Sequence, residues 1–101
     1  MRADSGPDQW CRLRISGVVQ GVGFRPFLWR RANRLGLAGW CENDPCGVTV
    51  EVAGPAAAVA AFVAGLAEAA PPLAQIDKIE TEAAGPVDQP PAGKAGFVIH
   101  A

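Results

Sequence analysis

The sequence has few of the residues that build metal or redox sites. It contains three cysteines, Cys11, Cys41 and Cys46, and a single histidine, His100, near the far end of the chain. No two cysteines have CxxC spacing, the usual arrangement of zinc-binding and redox-active pairs. We therefore predict no metal site within this chain. We interpret the cysteines as reduced thiols in strands or turns, as expected of a cytosolic protein.

Strong net charge and long hydrophobic runs are also absent. The formal net charge is −1, which gives no broad field to attract nucleic acid or an anionic membrane, so we predict neither as a partner. The longest apolar run, residues 56–67, is alanine-rich and too short to span a bilayer. Residues 1–10 lack the apolar segment of a secretory signal. We predict one cytoplasmic domain over residues 11–101, preceded by a poorly ordered segment over residues 1–10.

The first predicted unit is a half-buried strand followed by a helix. Apolar and polar residues alternate over Cys11–Val18, which predicts a strand with one face in the core. A glycine-containing stretch follows, and Pro26 then suits the first turn of a helix, where its missing N–H group needs no partner. Apolar residues recur at helical spacing as far as Leu35, and Gly36 is typical of the position just after a helix.

The middle of the chain predicts a β-hairpin and a second helix. Residues 37–43 and 48–52 form the two strands, and Asp44–Gly47 has aspartate, proline and glycine at the positions that a type I turn favours. The second helix begins at Pro55, and Pro71 forbids its continuation. Its apolar stripe consists of Val59, Phe62, Val63 and Leu66.

Two more strands complete the predicted fold. A strand is expected near Ile76–Glu82, although Ile76 and Ile79 are out of phase for simple alternation, so that either a bulge or a later start is required. After a loop rich in glycine and proline, residues 97–100 predict a short final strand. The order β-α-β-β-α-β, with a terminal strand or strand extension, predicts an α+β, ferredoxin-like fold with two helices on one face of an antiparallel sheet.

A candidate anion site lies between the first strand and the first helix. Gly21 and Gly23 can adopt positive φ, which allows successive backbone N–H groups to turn inward and form a cradle for an anion. The helix that begins near Arg25 directs the positive end of its dipole toward the same place. Arg25 adds a guanidinium that matches two phosphate oxygens. Glycines are also common in loops before helices that bind no ligand. This pattern alone therefore does not decide whether the loop binds an anion.

Two segments, residues 18–25 (VVQGVGFR) and 36–43 (GLAGWCEN), resemble the acylphosphatase family, and the resemblance covers nearly all of the chain from Cys11 onward. It implies a hydrolase that converts an acyl phosphate into a carboxylate and phosphate. It further implies that Arg25 grips the phosphate oxygens and that Asn43 orients the attacking water. The phosphate-binding residues that the resemblance implies are Gln20, Gly21, Val22, Gly23, Phe24 and Arg25.

Finer details resemble one branch of that family. Residues 21–27 (GVGFRPF) and 70–77 (APPLAQID) are similar to the N-terminal domain of the HypF family of hydrogenase-maturation carbamoyltransferases. This resemblance implies carbamoyl phosphate as the substrate. The implied partners are the remaining domains of the longer protein and a maturation protein that accepts the carbamoyl group. We interpret the chain as an excised N-terminal domain, without a cofactor of its own. Zinc and ATP are expected only in the remainder of the longer protein.

Other interpretations stay open at this point. A free-standing acylphosphatase accounts for the same motifs, and so does a phosphate-binding module that is inactive in isolation. Asn43 lies beside the predicted turn, where asparagine commonly supports local backbone bonds. Glu42 and Asp44 are predicted to face solvent, because adjacent strand residues point to opposite faces. The aromatic residues predicted to lie in the core are Phe24, Phe27, Trp29 and Trp40. The arginines predicted to form a solvated helix face, with domain docking as the alternative, are Arg30, Arg31 and Arg34.

Overall fold

The computed structural model describes residues 8–19, 21, 23–45, 47–87 and 97–100. In these ranges the elements are strand β1 (Gln9–Val18), helix α1 (Phe24–Arg34), strands β2 (Ala38–Asp44) and β3 (Gly47–Gly54), helices α2 (Ala56–Ala64) and α3 (Leu66–Ala69), and strands β4 (Gln75–Pro86) and β5 (Phe97–His100). The predicted order of elements is confirmed. The first strand begins at Gln9, two residues before its predicted start. None of the helices in the described ranges is long and apolar enough to cross a membrane.

The strands form one five-stranded sheet in the order β4-β1-β3-β2-β5. Strand β1 is antiparallel to β3 and β4, and β2 is antiparallel to β3, as the ferredoxin-like prediction requires. Strand β5 pairs with β2 in parallel. Strands β4 and β5 form the two edges of the sheet and run in opposite directions. Strand β5 thus runs in the same direction as its neighbour β2. The prediction of an antiparallel sheet is therefore confirmed for four strands, and the edge strand β5 departs from it.

The core lies between one face of the sheet and the helices. Alternate residues of β1 and β3 are fully buried, which follows from the period-two pattern of each strand. The sheet side of the core includes Leu13, Ile15, Val48, Val50 and Val52, and the helical side includes Phe24, Leu28, Phe62 and Leu66. Each side chain of this kind contributes about 1.5–3 kcal/mol when it leaves water.

A bulge in β4 resolves the irregular phase of its sequence. Two consecutive residues of β1 pair with Lys78 and Ile76, so that Asp77 has no partner across the ladder. One extra residue reverses the alternation of side chains along a strand. Ile76 and Ile79 consequently both pack against the core, although they are three residues apart. Of the two alternatives left open by the sequence, the structure confirms the bulge.

The second predicted helix is divided into α2 and α3 at Gly65. The guanidinium of Arg31, on α1, donates to the backbone oxygens of Ala61 (2.8 Å) and Phe62 (3.2 Å) near the carboxyl end of α2. A Cβ atom at Gly65 would collide with this guanidinium. The prediction of one unbroken helix was wrong at this point. The Arg31 side chain of α1 caps α2 by donating to its last backbone oxygens.

Candidate functional site

The topology brings the glycine-containing loop after β1 and the carboxyl end of β2 to the same end of the sheet. Strands β1 and β2 are both antiparallel to β3, so they run in the same direction. Gly47, the first residue of β3, pairs with Ser16 of β1 on one side and with Asp44 of β2 on the other. The loop that follows Val18 therefore lies close to Asn43, although the two are far apart in sequence.

The two glycines of the loop have the left-handed backbone that the sequence predicts. Gly21 has φ 73° and Gly23 has φ 81°. A Cβ atom added at either position would meet nothing within 4 Å, so both glycines border open space. Since there is room for a side chain at both positions, glycine is favoured only because it adopts positive φ without strain. Gln20 and Val22, the other predicted loop residues, lie outside the described residues.

Helix α1 begins directly at this loop without a side-chain cap. Gly23 is the N-cap residue, and no side-chain hydrogen bond caps the helix. The first N–H groups of a helix have no acceptor within the helix, and they carry the positive end of its dipole. Pro26, in the first turn, has no N–H group to satisfy. Phe24 is almost fully buried, so its predicted contact with an anion rests on its backbone amide.

Arg25 is half-buried in the first turn of α1 and lies near β2. Burial raises the pKa of the Cys41 thiol to about 11, and the positive charge of Arg25 opposes this rise. Helix α1, which carries Arg25, also packs against β2. Cys41 and Asn43 are two residues apart on the same strand, so their side chains point to the same face. The structure thus packs the helix that carries Arg25 against the strand that carries Asn43.

Asn43 has an unsatisfied acceptor. Its Oδ1 atom is buried and has no hydrogen-bond donor among the described residues. A buried polar atom without a partner costs about 1–3 kcal/mol, and such atoms are uncommon in folded proteins. The predicted turn does not satisfy this atom. The Asn43 oxygen lies at the end of the sheet from which the loop and Arg25 begin. It is suited to accept a hydrogen bond from a ligand or from water.

Sequence reasoning missed the role of Asp44. Arg14 donates from both terminal nitrogens to the Asp44 carboxylate, with Nη2 2.6 Å from Oδ1, and also donates to Oγ1 of Thr49 at 3.1 Å. This group lies on the face of the sheet opposite to Asn43. Asp44 and Glu42 both lie on the outer face as predicted, and what the sequence missed is the Arg14 partner that leaves the Asp44 side chain only 31% exposed. The alternation of each strand places these residues on one face, but only the strand pairing brings them together.

The predicted core aromatics divide into two groups. Phe24 and Phe27 are buried, with ring centroids 5.5 Å apart. Trp40 is half-buried on the outer face of the sheet, where the guanidinium of Arg12 lies 6.0 Å from its ring. Trp29 is 46% exposed, and its assignment to the core was wrong. The buried residues of α1 follow another stripe of the helix, and Trp29 lies about 100° around the axis from its buried neighbour Leu28.

The described cysteines do not form a metal or disulfide site. Cys11 and Cys41 are buried free thiols, and Cys46 lies outside the described residues. Burial, with a smaller contribution from the charge of Glu51, also raises the pKa of Cys11. Among the residues that the structure describes, no group of three or more histidine, cysteine, aspartate or glutamate side chains is arranged to hold a metal ion. The absence of a cofactor and the roles of the site residues stay predictions.

The protein is therefore a ferredoxin-like α+β domain. At one end of its sheet it has a loop with two positive-φ glycines, one arginine, and one asparagine amide whose oxygen has no described donor. The sequence model of the acylphosphatase family matches residues 11–99. The chain belongs to the acylphosphatase family.

Relatives of two kinds are similar to this chain. Carbamoyltransferase HypF2 of Cupriavidus necator is 55% identical over 71 residues, which cover 70% of this chain and 9% of that protein. The acylphosphatase of Caldivirga maquilingensis is 45% identical over 73 residues, covering 70% of this chain and 76% of that protein. A crystal structure of full-length HypF in the phosphate- and nucleotide-bound form has a TM-score of 0.79 and 33% identity, covering 96% of this chain and 12% of that one. The chain thus spans about a tenth of the length of its HypF relatives.

Proposed function

We propose that this domain binds an acyl phosphate between the glycine-containing loop and Arg25, and that it hydrolyses the acyl phosphate with a water oriented by Asn43. The observation that carries the proposal is the buried Oδ1 atom of Asn43, which has no donor among the described residues and lies on β2, the strand that helix α1 and its Arg25 contact. A water bound to this oxygen would satisfy the acceptor and be held beside the phosphate.

The reaction needs positioning and charge stabilisation more than it needs a strong nucleophile. An acyl phosphate is a mixed anhydride, whose leaving carboxylate is a weak base and departs without protonation. The water oxygen attacks phosphorus, and the bond from phosphorus to the acyl oxygen breaks with its electron pair on the carboxylate. The water proton passes to a phosphate oxygen. Arg25 and the loop amides stabilise the charge on the phosphate oxygens, which is the main demand of phosphoryl transfer.

Carbamoyl phosphate is the proposed substrate, with carbamate and phosphate as the products. The similarity to proteins named carbamoyltransferase HypF supports this choice, and it supports a place for the domain within a longer protein, which we propose is cytoplasmic. In such a protein the released carbamoyl group would be activated with ATP by another domain and passed to a cysteine of a maturation protein. Zinc and ATP belong to those other domains in this proposal.

The proposal is tested by phosphate release from carbamoyl phosphate and from acetyl phosphate. Arg25→Ala is expected to lower turnover by about 10²–10³-fold, because it removes the only proposed cationic contact to the phosphate. Arg30→Ala is the matched control, since Arg30 lies on the same helix and is exposed. Equal rates for the two variants, with either substrate, would contradict the assignment of the site.

A second candidate is the activity of a single-domain acylphosphatase with no preference for carbamoyl phosphate. The similarity to the Caldivirga acylphosphatase over 76% of that protein favours it. The ratio of kcat/KM for carbamoyl phosphate to that for acetyl phosphate separates the two candidates. A ratio well above one supports the carbamoyltransferase domain, whereas a ratio at or below one supports the general hydrolase. Phosphate binding at Arg25 without turnover of either substrate would indicate a binding module that is inactive in isolation.

A further inference from the structure

The charges of this protein are segregated by layer. The three helices contain four arginines and one glutamate, a formal charge of +3, whereas the net charge of the whole chain is −1. The rest of the chain therefore carries −4. The residues concerned are Arg25, Arg30, Arg31, Arg34 and Glu68. The helical layer is thus locally positive in an acidic protein, and a local field of this kind attracts anions that the net charge would not attract.

A cavity lies within this positive layer. Its volume is about 190 Å³, and it is lined by Phe27, Arg30, Arg31, Arg34 and Ala69. Arginines supply three of these five lining residues, and the aromatic ring of Phe27 is nearly buried. None of the described residues that line the cavity is acidic. We call it the α1–α3 cavity.

The three arginines of the α1–α3 cavity differ in their bonding. Arg31 is committed to the fold, because it donates to the backbone oxygens of α2 and lies 6.0 Å from the ring of Phe62. Arg30 and Arg34 are exposed, and no hydrogen bond or ion pair joins either of them to another described residue. They are four residues apart on one helix face, where like charges repel by about 0.2–0.5 kcal/mol. Two guanidinium donors therefore remain available at the cavity.

The helix dipole accounts for only part of this arrangement. Arg31 and Arg34 lie in the last turn of α1, where cations stabilise a helix. Arg30 lies just before that turn, one turn earlier than Arg34, and borders the same cavity. Arg30 and Arg34 also project away from the proposed active site, since they lie about 140° and 180° around the helix axis from Arg25 and about 7.5 and 13 Å along it.

We propose that Arg30 and Arg34 form a second anion-binding site at the α1–α3 cavity, for a ligand that carries two or more oxyanionic charges. Each guanidinium presents a planar pair of donors that matches a carboxylate or a phosphate. The shared ligand chemistry is a pair of neighbouring oxyanions, supplied either by acidic side chains of a protein segment or by a small diphosphate. The site does not depend on hydrolysis of an acyl phosphate.

The test is an NMR titration of ¹⁵N-labelled protein in the Arg25→Ala background, which removes the proposed active site. One arm uses pyrophosphate, and the other uses a peptide with two glutamates four residues apart, both at about 0.15 M salt. Backbone amides of the second half of α1 and of Ala69 are expected to shift. Arg30→Gln with Arg34→Gln is expected to weaken binding at least about tenfold. Arg12→Gln with Lys78→Gln removes the same charge from the sheet, and it is expected to leave binding unchanged.

Each outcome of this titration decides the proposal. Shifts with the peptide alone support the site and identify protein carboxylates as its ligand, whereas shifts with pyrophosphate alone support the site and identify phosphate. The proposal is overturned if neither probe shifts α1 at this salt concentration. It is also overturned if the two double variants weaken binding equally, since the attraction would then follow net charge and not the cavity.

Discussion

Helix α1 has arginines at both ends, and the two ends differ in what surrounds them. At its start, Arg25 is half-buried near Cys41, at the positive end of the helix dipole, where an acidic residue would stabilise the helix. At its end, Arg31 and Arg34 lie in the last turn, where the dipole favours cations. The stability of the helix explains the second arrangement but not the first. An arginine at the start of a helix is therefore the stronger sign of a binding role.

The glycines at the two ends give the same contrast. Gly36 has φ 74°, the usual conformation of glycine after a helix, and its N–H group donates to the backbone oxygen of Asn33 (3.1 Å). Gly23 has φ 81° at the N-cap, a position at which serine, threonine, aspartate or asparagine would add a side-chain hydrogen bond. The start of α1 thus lacks a stabilising cap, and its backbone faces open space.

The largest expected effect contrasts an asparagine of the site with one near the end of α1. Asn43→Ala is expected to lower phosphate release by about 10²–10³-fold, because the attacking water loses its acceptor. Asn33→Ala removes an exposed amide whose Nδ2 donates to the backbone oxygen of Trp29 (2.9 Å), and turnover is expected to stay at the wild-type rate. Equal losses in the two variants would remove the basis for assigning the water to Asn43.

The two positive-φ glycines provide a matched pair of substitutions. Gly23→Ala and Gly36→Ala each place a Cβ atom in open space but force alanine into the left-handed region, so that each is expected to cost about 1–2 kcal/mol of stability. Urea unfolding measures this cost. Only Gly23→Ala is expected to reduce turnover, since only that glycine belongs to the proposed phosphate loop. If both variants retain full turnover, the backbone of the loop is not the phosphate cradle.

A smaller effect is expected from the arginines at the end of α1. Arg31→Gln loses two hydrogen bonds to the carboxyl end of α2 and is expected to lower the free energy of unfolding by about 1–2 kcal/mol. Arg30→Gln, on the neighbouring position, is expected to change it by no more than about 0.5 kcal/mol. Denaturation midpoints of the two variants check this difference. A neutral Arg31→Gln would show that the break between α2 and α3 does not depend on this side chain.

The last effect is confined to alkaline pH, where stability depends on the ionisation of Cys41 in β2. Burial raises the pKa of Cys41 from its ordinary value of 9.0 to about 11, and Arg25 opposes this rise. A folded-state pKa above the unfolded value contributes stability that is complete below pH 9 and is lost as the pH rises toward 11. Cys41→Val is expected to flatten this alkaline decline. Identical pH profiles for the variant and the wild type would contradict the assignment to Cys41.

Much of the candidate site could be predicted because its residues are close in sequence. Gly21, Gly23 and Arg25 belong to one short segment between a strand and a helix, and local backbone rules determine what such a segment can do. The role of Asn43 could be predicted only from the resemblance to a family. Asn43 is far from the loop in sequence, and only strand pairing brings the two together. The irregular phase of Ile76 and Ile79 limited β4 to two alternatives, a bulge or a later start, and only the strand pairing decided for the bulge.

The features that were missed depend on contacts between distant elements. The pairing of Arg14 with Asp44 crosses the intervening strand β3, and it follows from a register that no local pattern gives. Arg31 ends α2 from a different helix, so the sequence of α2 and α3 alone predicts one continuous helix. Strand β5 has four residues, too few for its pattern to specify a parallel neighbour. Trp29 is exposed because the arc of α1 that faces the core is narrower than its apolar content predicts.

The central claim is that the loop before α1 and Arg25 together hold a phosphate group. A crystal structure of this protein with bound phosphate tests it most directly. We expect the anion to lie in the turn of residues 20–24, about 2.7–3.1 Å from backbone nitrogen atoms, with the Arg25 guanidinium on two of its oxygens. A turn that stays empty at saturating phosphate, with Arg25 directed into solvent, would contradict the account.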